Sequence, residues 1–268
     1  MVITGSGSGM GRAYAIEFAR LKARLALCDC DEQLLQDTVS ITQAISDQPV
    51  FYKVVDVSDK AQIFQFAEDV KSQIGNAHIV INNAGVETQF KPAWALEDAS
   101  TERIMDINFY GVMYGTQAFL PQLQENTEAA LVNVSSLFGL IGAPNHADYC
   151  ASKFAVRGYT EALITELTDS HIQVHLLCPG GVKTNILKRE RSKKFADHFL
   201  STPPEEIARA LIQAIVKNKS RIVCGNRAKT SWLAARLLPL KLLSRITWHQ
   251  TKHFIDRSDY QSTRESGA

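Results

Sequence analysis

Tyr149 and Lys153 stand four residues apart in ADYCASK, and Ser136 precedes the tyrosine by thirteen residues. On a helix, residues i and i+4 share a face, so the phenol and the ammonium can project into one cleft. A free tyrosine titrates near pH 10, too high for a base that works near neutrality. A neighbouring positive charge favours phenolate over phenol and is expected to lower that value. Such a phenolate can take the proton of an alcohol while hydride leaves the same carbon. In reverse, the phenol protonates a nascent alkoxide. Ser136 closes an apolar run, and its hydroxyl can hydrogen-bond the oxygen on which charge develops. This chemistry needs a hydride carrier and no metal. The sequence holds no GxSxG elbow, HExxH or zinc-type cysteine cluster, and His249 and His253 lack a third ligand nearby.

Elements must bring these side chains together. Short apolar runs at 2–4, 23–29, 50–56, 78–85, 129–136 and 172–180 read as strands. Between them, helical periodicity covers 12–23, 31–45, 58–74, 100–123 and 147–168, with Ser58 and Asp59 as N-cap candidates for the third helix. The alternation predicts an α/β fold, a Rossmann-like doubly wound parallel sheet flanked by helices on both faces. No linker or low-complexity segment interrupts it, so residues 1–268 are expected to form a single dinucleotide-binding and catalytic domain.

The hydride carrier has a candidate seat. TGSGSGMG (4–11) lies where the first strand meets the first helix, and glycines there let backbone N–H groups approach a pyrophosphate. Asp29 ends the second strand and can accept hydrogen bonds from ribose hydroxyls. The same carboxylate repels a 2′-phosphate, and Cys30 rather than a basic residue follows it, which predicts NAD over NADP. Arg12 is expected to face solvent.

With TGxxxGxG, NNAG and YxxxK in order, the chain resembles the classical short-chain dehydrogenase/reductase family from Thr4 to about Ile215. The resemblance implies that Gly5, Ser8, Gly9, Met10 and Gly11 form the pyrophosphate turn, and that Asp56 and Val57 lie by the adenine. Asn83, Ala84 and Gly85 would line the cofactor cleft. Pro179, Gly180, Val182 and Thr184 of PGGVKT would border the nicotinamide, against Tyr149 and Lys153. Asn108 matches the helix asparagine that organises a water and the active lysine. Ser136 rather than Ser135 has the family spacing from the tyrosine. Only Met1, Val2 and Ile3 precede Thr4, which leaves a short first strand or a trimmed start open. The family is often dimeric or tetrameric through helices at about 100–123 and 147–168.

Composition bounds the rest. The chain has 268 residues, 45% of them hydrophobic, and a formal charge of +1, which gives no field for nucleic acid. Five cysteines without CxxC pairs suit reduced thiols in a cytoplasmic protein. Residues 221–268 hold nine basic and three acidic residues; the first 220 hold twenty and twenty-five. Segment 185–204, with basic residues 188, 189, 191, 193 and 194, is expected to cover the substrate, and Ser201 or Thr202 to cap the helix after it. Segment 226–268 is a basic, apolar extension, and Pro239 splits its helical part in two. For 230–250 three readings stay open: packing at the substrate mouth or a subunit interface, shallow membrane contact, or a mobile tail. The expected activity is NAD-dependent interconversion of a secondary alcohol and a ketone, on an apolar or lipid-like substrate. An NADPH-dependent carbonyl reductase and a non-catalytic nucleotide-binding protein of the same fold are the alternatives.

Overall fold

The computed structural model describes residues 1–87, 89–184, 186 and 190–260. Seven parallel strands form one sheet: β1 (Val2–Thr4), β2 (Leu25–Asp29), β3 (Val50–Val54), β4 (Ile79–Asn82), β5 (Ala129–Val134), β6 (Ile172–Pro179) and β7 (Arg221–Cys224). Their order is β3-β2-β1-β4-β5-β6-β7, so the winding reverses between β1 and β4. That reversal opens a crevice at the carboxyl ends of the strands. The expected doubly wound sheet is therefore present.

Alternation along each strand sends neighbouring side chains to opposite faces. Val2, Ala26, Val80 and Leu131 enter one core, where Phe66 of α3 (Lys60–Ile74) and Phe119 of α5 (Gly111–Gln124) cover them. Ile3, Leu27, Ile81 and Val132 enter the other. There they meet Tyr14 of α1 (Gly9–Arg20), Leu35 of α2 (Glu32–Ile45) and Leu211 of α8 (Pro204–Val216). Burial on both faces is why the strands read as continuous apolar runs.

Three expectations change. The long helix anticipated over 100–123 is divided into α4 (Asp98–Met105), a π-helical turn (Asp106–Tyr110) and α5, the turn carrying Asn108. Strand β7 was not anticipated; its four residues pair with Leu176–Pro179 of β6, and that pairing defines it more than its own pattern. Neither Ser201 nor Thr202 caps α8. Pro203 occupies the cap position with Pro204 behind it, and Thr202 Oγ1 instead accepts from the Asn226 N–H at 2.7 Å. Asp59 does cap α3, accepting from the N–H groups of Ala61 and Gln62.

Beyond β5, α6 (Ala147–Glu166) brings Tyr149 and Lys153 back toward the sheet edge. After β6, α7 (Glu190–Phe199) and the pair α9 (Ala228–Leu237) and α10 (Leu240–Thr251) close over the same edge, with the break at Pro239 as expected. Residues 185 and 187–189 of the covering segment, and 261–268 of the extension, lie outside the described residues.

Candidate active site

The floor of the crevice is the glycine turn. Gly5 (φ +63°) and Gly9 (φ +52°) hold left-handed conformations that L side chains rarely adopt. A Cβ on Gly11 would lie 1.9 Å from the Gly5 carbonyl oxygen, so helix α1 starts flush against the turn. Thr4 Oγ1 accepts from the N–H groups of Asn83 (3.0 Å) and Ala84 (3.1 Å), and Asn83 Nδ2 donates to the carbonyls of Thr4 and Gly5. This lattice ties β1 to β4 across the reversal of the sheet. Asp29 Oδ2 accepts from the Gly7 N–H at 2.8 Å. Arg12 is not directed to solvent. Its guanidinium donates to the carbonyls of Gly7 and Leu34 and to Thr38 Oγ1, fastening the turn to α2.

Above the turn lies a cleft of about 1200 Å³. Gly5, Ser8, Gly9, Met10, Asp29, Asp56, Val57 and Asn83 through Gly85 line one end. Ser136, Tyr149, Lys153, Pro179, Gly180, Val182 and Thr184 line the centre. Two expected site residues do not reach it. Gly11 lies beneath the turn, and Asn108 is wholly buried behind Gly85. The residues present suit a dinucleotide: a turn with glycine at 5, 7, 9 and 11 at a helix N-terminus, an acid at the end of β2, and room for an extended ligand.

The polar trio is held from the sheet side. Lys153 Nζ donates to the Val134 carbonyl at 3.0 Å and lies 5.8 Å from the centre of the Tyr149 ring. Ser135 Oγ donates to the Lys153 carbonyl, whereas Ser136, whose Oγ accepts from the Phe138 N–H at 3.1 Å, lines the cleft with Tyr149. Asn108 Oδ1 accepts from the Val86 N–H (2.8 Å), and its Nδ2 donates to the Val86 carbonyl and to Ser152 Oγ. The amide thus clamps the end of the β4 loop onto α6 and does not bond Lys153 directly. Its oxygen and Lys153 Nζ both approach Gly85, where a Cβ would sit 3.2 and 3.4 Å from them.

Burial reverses one expectation. It pushes Tyr149 up to about 12, outweighing the favourable effect of the Ser136 hydroxyl, with Cys150 and Glu87 adding to the rise. Burial also lowers Lys153 to about 8. The chain by itself therefore does not acidify the phenol, because desolvation of the anion exceeds any help from an ammonium directed at Val134.

One residue at the site escaped the sequence reading. His146 precedes α6, is 3% exposed and lines the cleft among the rings of Phe90, Phe138 and Phe195. Its Nδ1 lies 2.8 Å from the Pro144 carbonyl, while Nε2 has no partner among the described residues. A lone histidine before a helix carries no spacing signal that could have marked it. Burial lowers it to about 4, partly opposed by the Pro144 hydrogen bond and Asp148. Its folded value lies below the ordinary 6.5, so the unfolded chain takes up the proton first and stability falls as pH drops from 6.5 toward 4. Between pH 7 and pH 5 this single group should cost about 2 kcal/mol. Urea denaturation at the two pH values, compared with His146→Gln, measures it. His175, also buried and lowered, has the same sign and remains in the variant. An equal pH dependence in both proteins would contradict the assignment.

A family model described as short chain dehydrogenase matches residues 1–194. A Mycobacterium tuberculosis protein named as an oxidoreductase, SadH, is 37% identical over 256 residues, covering 88% of this chain and 90% of that one. Estradiol 17-beta-dehydrogenase 11 of Macaca fascicularis is 32% identical over 247 residues, covering 91% and 80%. Among solved structures, a short chain dehydrogenase/reductase of Burkholderia phymatum in complex with NAD superposes with a TM-score of 0.81 at 29% identity, over 88% of this chain and 91% of that one. An alcohol dehydrogenase of Thermococcus sibiricus complexed with 5-hydroxy-NADP gives 0.71 at 25% identity, over 82% and 92%.

Proposed function

Since this chain belongs to the short-chain dehydrogenase family of oxidoreductases, we propose that it interconverts a secondary alcohol and a ketone with NAD, acting on an apolar, lipid-like substrate. The observation that carries this reading is the meeting of Tyr149, Ser136 and Lys153 at the centre of the cleft above the glycine turn. A nicotinamide dinucleotide bound there would accept or supply the hydride. The turn from Gly5 to Met10 would hold its pyrophosphate, with Gly11 as the packing position beneath. Asp29 would take the ribose hydroxyls, Asp56 and Val57 the adenine end, and Pro179 through Thr184 the nicotinamide end.

Tyr149 is the acid and base. Its phenolate oxygen takes the alcohol proton in oxidation, and its hydroxyl returns one to the alkoxide in reduction. Ser136 donates to the substrate oxygen and steadies the charge that forms on it. Lys153 brings positive charge beneath the phenol, and with an oxidised nicotinamide alongside, two cations favour phenolate. Asn108 acts through Val86 and Ser152 as a positioning residue. The far end of the cleft is apolar, lined by Phe138, Ile141, Phe195 and Phe199, which suits a hydrocarbon substrate body. Segment 185–204 and the extension 226–268 are the proposed substrate cover. Exposed Tyr110 and Phe154, on the π turn and α6, support a homo-oligomer formed through those helices.

The choice of NAD rests on two side chains. Asp29 presents negative charge where a 2′-phosphate would lie, and Arg12, spent on Gly7, Leu34 and Thr38, is not at liberty to neutralise one. The second reading, an NADPH-dependent carbonyl reductase, draws on the solved neighbour that holds a 5-hydroxy-NADP. A fluorescence titration with NADH and NADPH separates them. NADH is expected to bind at least about tenfold more tightly, and Asp29→Asn to narrow the gap. Tighter NADPH binding by the unaltered protein would reject the role given to Asp29. A screen of hydroxysteroids, retinoids and acyl-chain alcohols with NAD, followed by absorbance, then identifies the substrate class.

A further inference from the structure

We propose that the α9–α10 hairpin seats the protein on an anionic lipid surface, so that the apolar end of the cleft opens against the bilayer. The inference rests on the reading of the cleft as a site for an apolar alcohol, and it adds where that alcohol is drawn from.

Leu237 and Leu240 flank Pro239 at the tip of the hairpin and are 70% and 78% exposed. Leu233, Leu242 and Ile246 extend the apolar surface along both helices. Exposed leucines of this number are uncommon on a helix that meets only water. Basic side chains are interleaved with them: Arg236, Lys241 and Arg245 are all exposed. From 226 to 255 there are six Lys or Arg residues and no Asp or Glu. The Arg236 guanidinium lies 5.0 Å from the Trp232 ring, which holds it at the border of the apolar patch.

The same two helices turn another face inward. Ala234, Leu243, Ile246 and Thr247 line the cleft. One hairpin therefore forms both the outer apolar patch and a wall of the substrate end, with Ile246 shared between them. Leucines can enter the boundary between headgroups and acyl chains while the cations meet lipid phosphates. A second copy of the chain fits less well, since a two-fold contact here would set Arg236, Lys241 and Arg245 against their own counterparts. The helices have 10 and 12 residues, and no described helix is long and apolar enough to cross a membrane, so the contact is interfacial.

The test is co-sedimentation of the purified full chain with vesicles of phosphatidylcholine alone, or with about one-third phosphatidylserine. The anionic vesicles should retain several-fold more protein, and raised salt should release it. The double variant Leu237→Asp/Leu240→Asp should reduce retention about tenfold while NADH titrates as in the unaltered protein, because neither leucine lines the cleft. Equal retention on both vesicle types, or undiminished retention of the double variant, would refute the proposal. So would a dimer in solution that the double variant splits, since the patch would then serve self-association. The readout needs no turnover: failure of the alcohol screen with vesicle binding intact counts against the proposed activity alone.

Discussion

Tyr149→Phe is expected to lower kcat by at least about 10³-fold while leaving dinucleotide affinity within a few-fold of the unaltered protein. The substitution removes one oxygen and keeps the ring. That ring packs edge-on to Phe138, with centroids 6.3 Å apart, so the wall of the cleft is preserved. What disappears is the only group among the trio placed to exchange a proton with the substrate oxygen. Ser136 can still donate to that oxygen, but its hydroxyl is a poor base at any working pH. Steady-state formation of NADH reports the rate, and a fluorescence titration reports binding. In the unaltered protein the oxidative rate should climb with pH, because burial pushes the phenol up and oxidation requires its conjugate base. The positive charges of Lys153 and an oxidised nicotinamide should bring that climb below about 12. The variant should lose that climb. Turnover within tenfold of the unaltered protein would remove Tyr149 from the mechanism.

Gly11→Ala should abolish detectable dinucleotide binding and destabilise the fold by about 2–4 kcal/mol. The added methyl would meet the Gly5 carbonyl oxygen at 1.9 Å and Asn83 Nδ2 at 2.8 Å. The first is backbone within the same turn, so relief requires α1 to shift away from β1 and the turn to open. Because Asn83 also donates to Thr4 and Gly5, the strain reaches β4. Gly158→Ala is the control: among the described residues nothing lies within 4 Å of its Cβ, and a helical alanine should be neutral or stabilising. Thermal unfolding with and without NADH measures both variants. Full NADH affinity in Gly11→Ala would show that the turn yields more easily than its packing implies.

Much of the fold could be read before any coordinates. Short continuous apolar runs and capped helices are local, and Asp59 on α3 or Pro239 between α9 and α10 acts within one turn of its own position. The glycine turn was legible for the same reason, since a missing Cβ has one steric meaning wherever the chain must approach itself. Strand β7 was not, because RIVC acquires its extended form from pairing with β6. The break in the helix at 106–110 was hidden too, as a π turn keeps nearly the same periodicity.

The residue types and their spacing determined by themselves that a tyrosine and a lysine share a helix face, that a serine can meet them at a strand end, and that a glycine-rich turn follows the first strand. Only the tertiary structure decided which polar groups are spent elsewhere: Arg12 on α2, Asn108 on Val86 and Ser152, Thr202 on Asn226. It alone decided the sense of the shift at Tyr149 and the neutrality of His146. The physical reason is range. Periodicity, capping and steric freedom act over a few residues, whereas desolvation and the choice of hydrogen-bond partner depend on segments dozens of positions away.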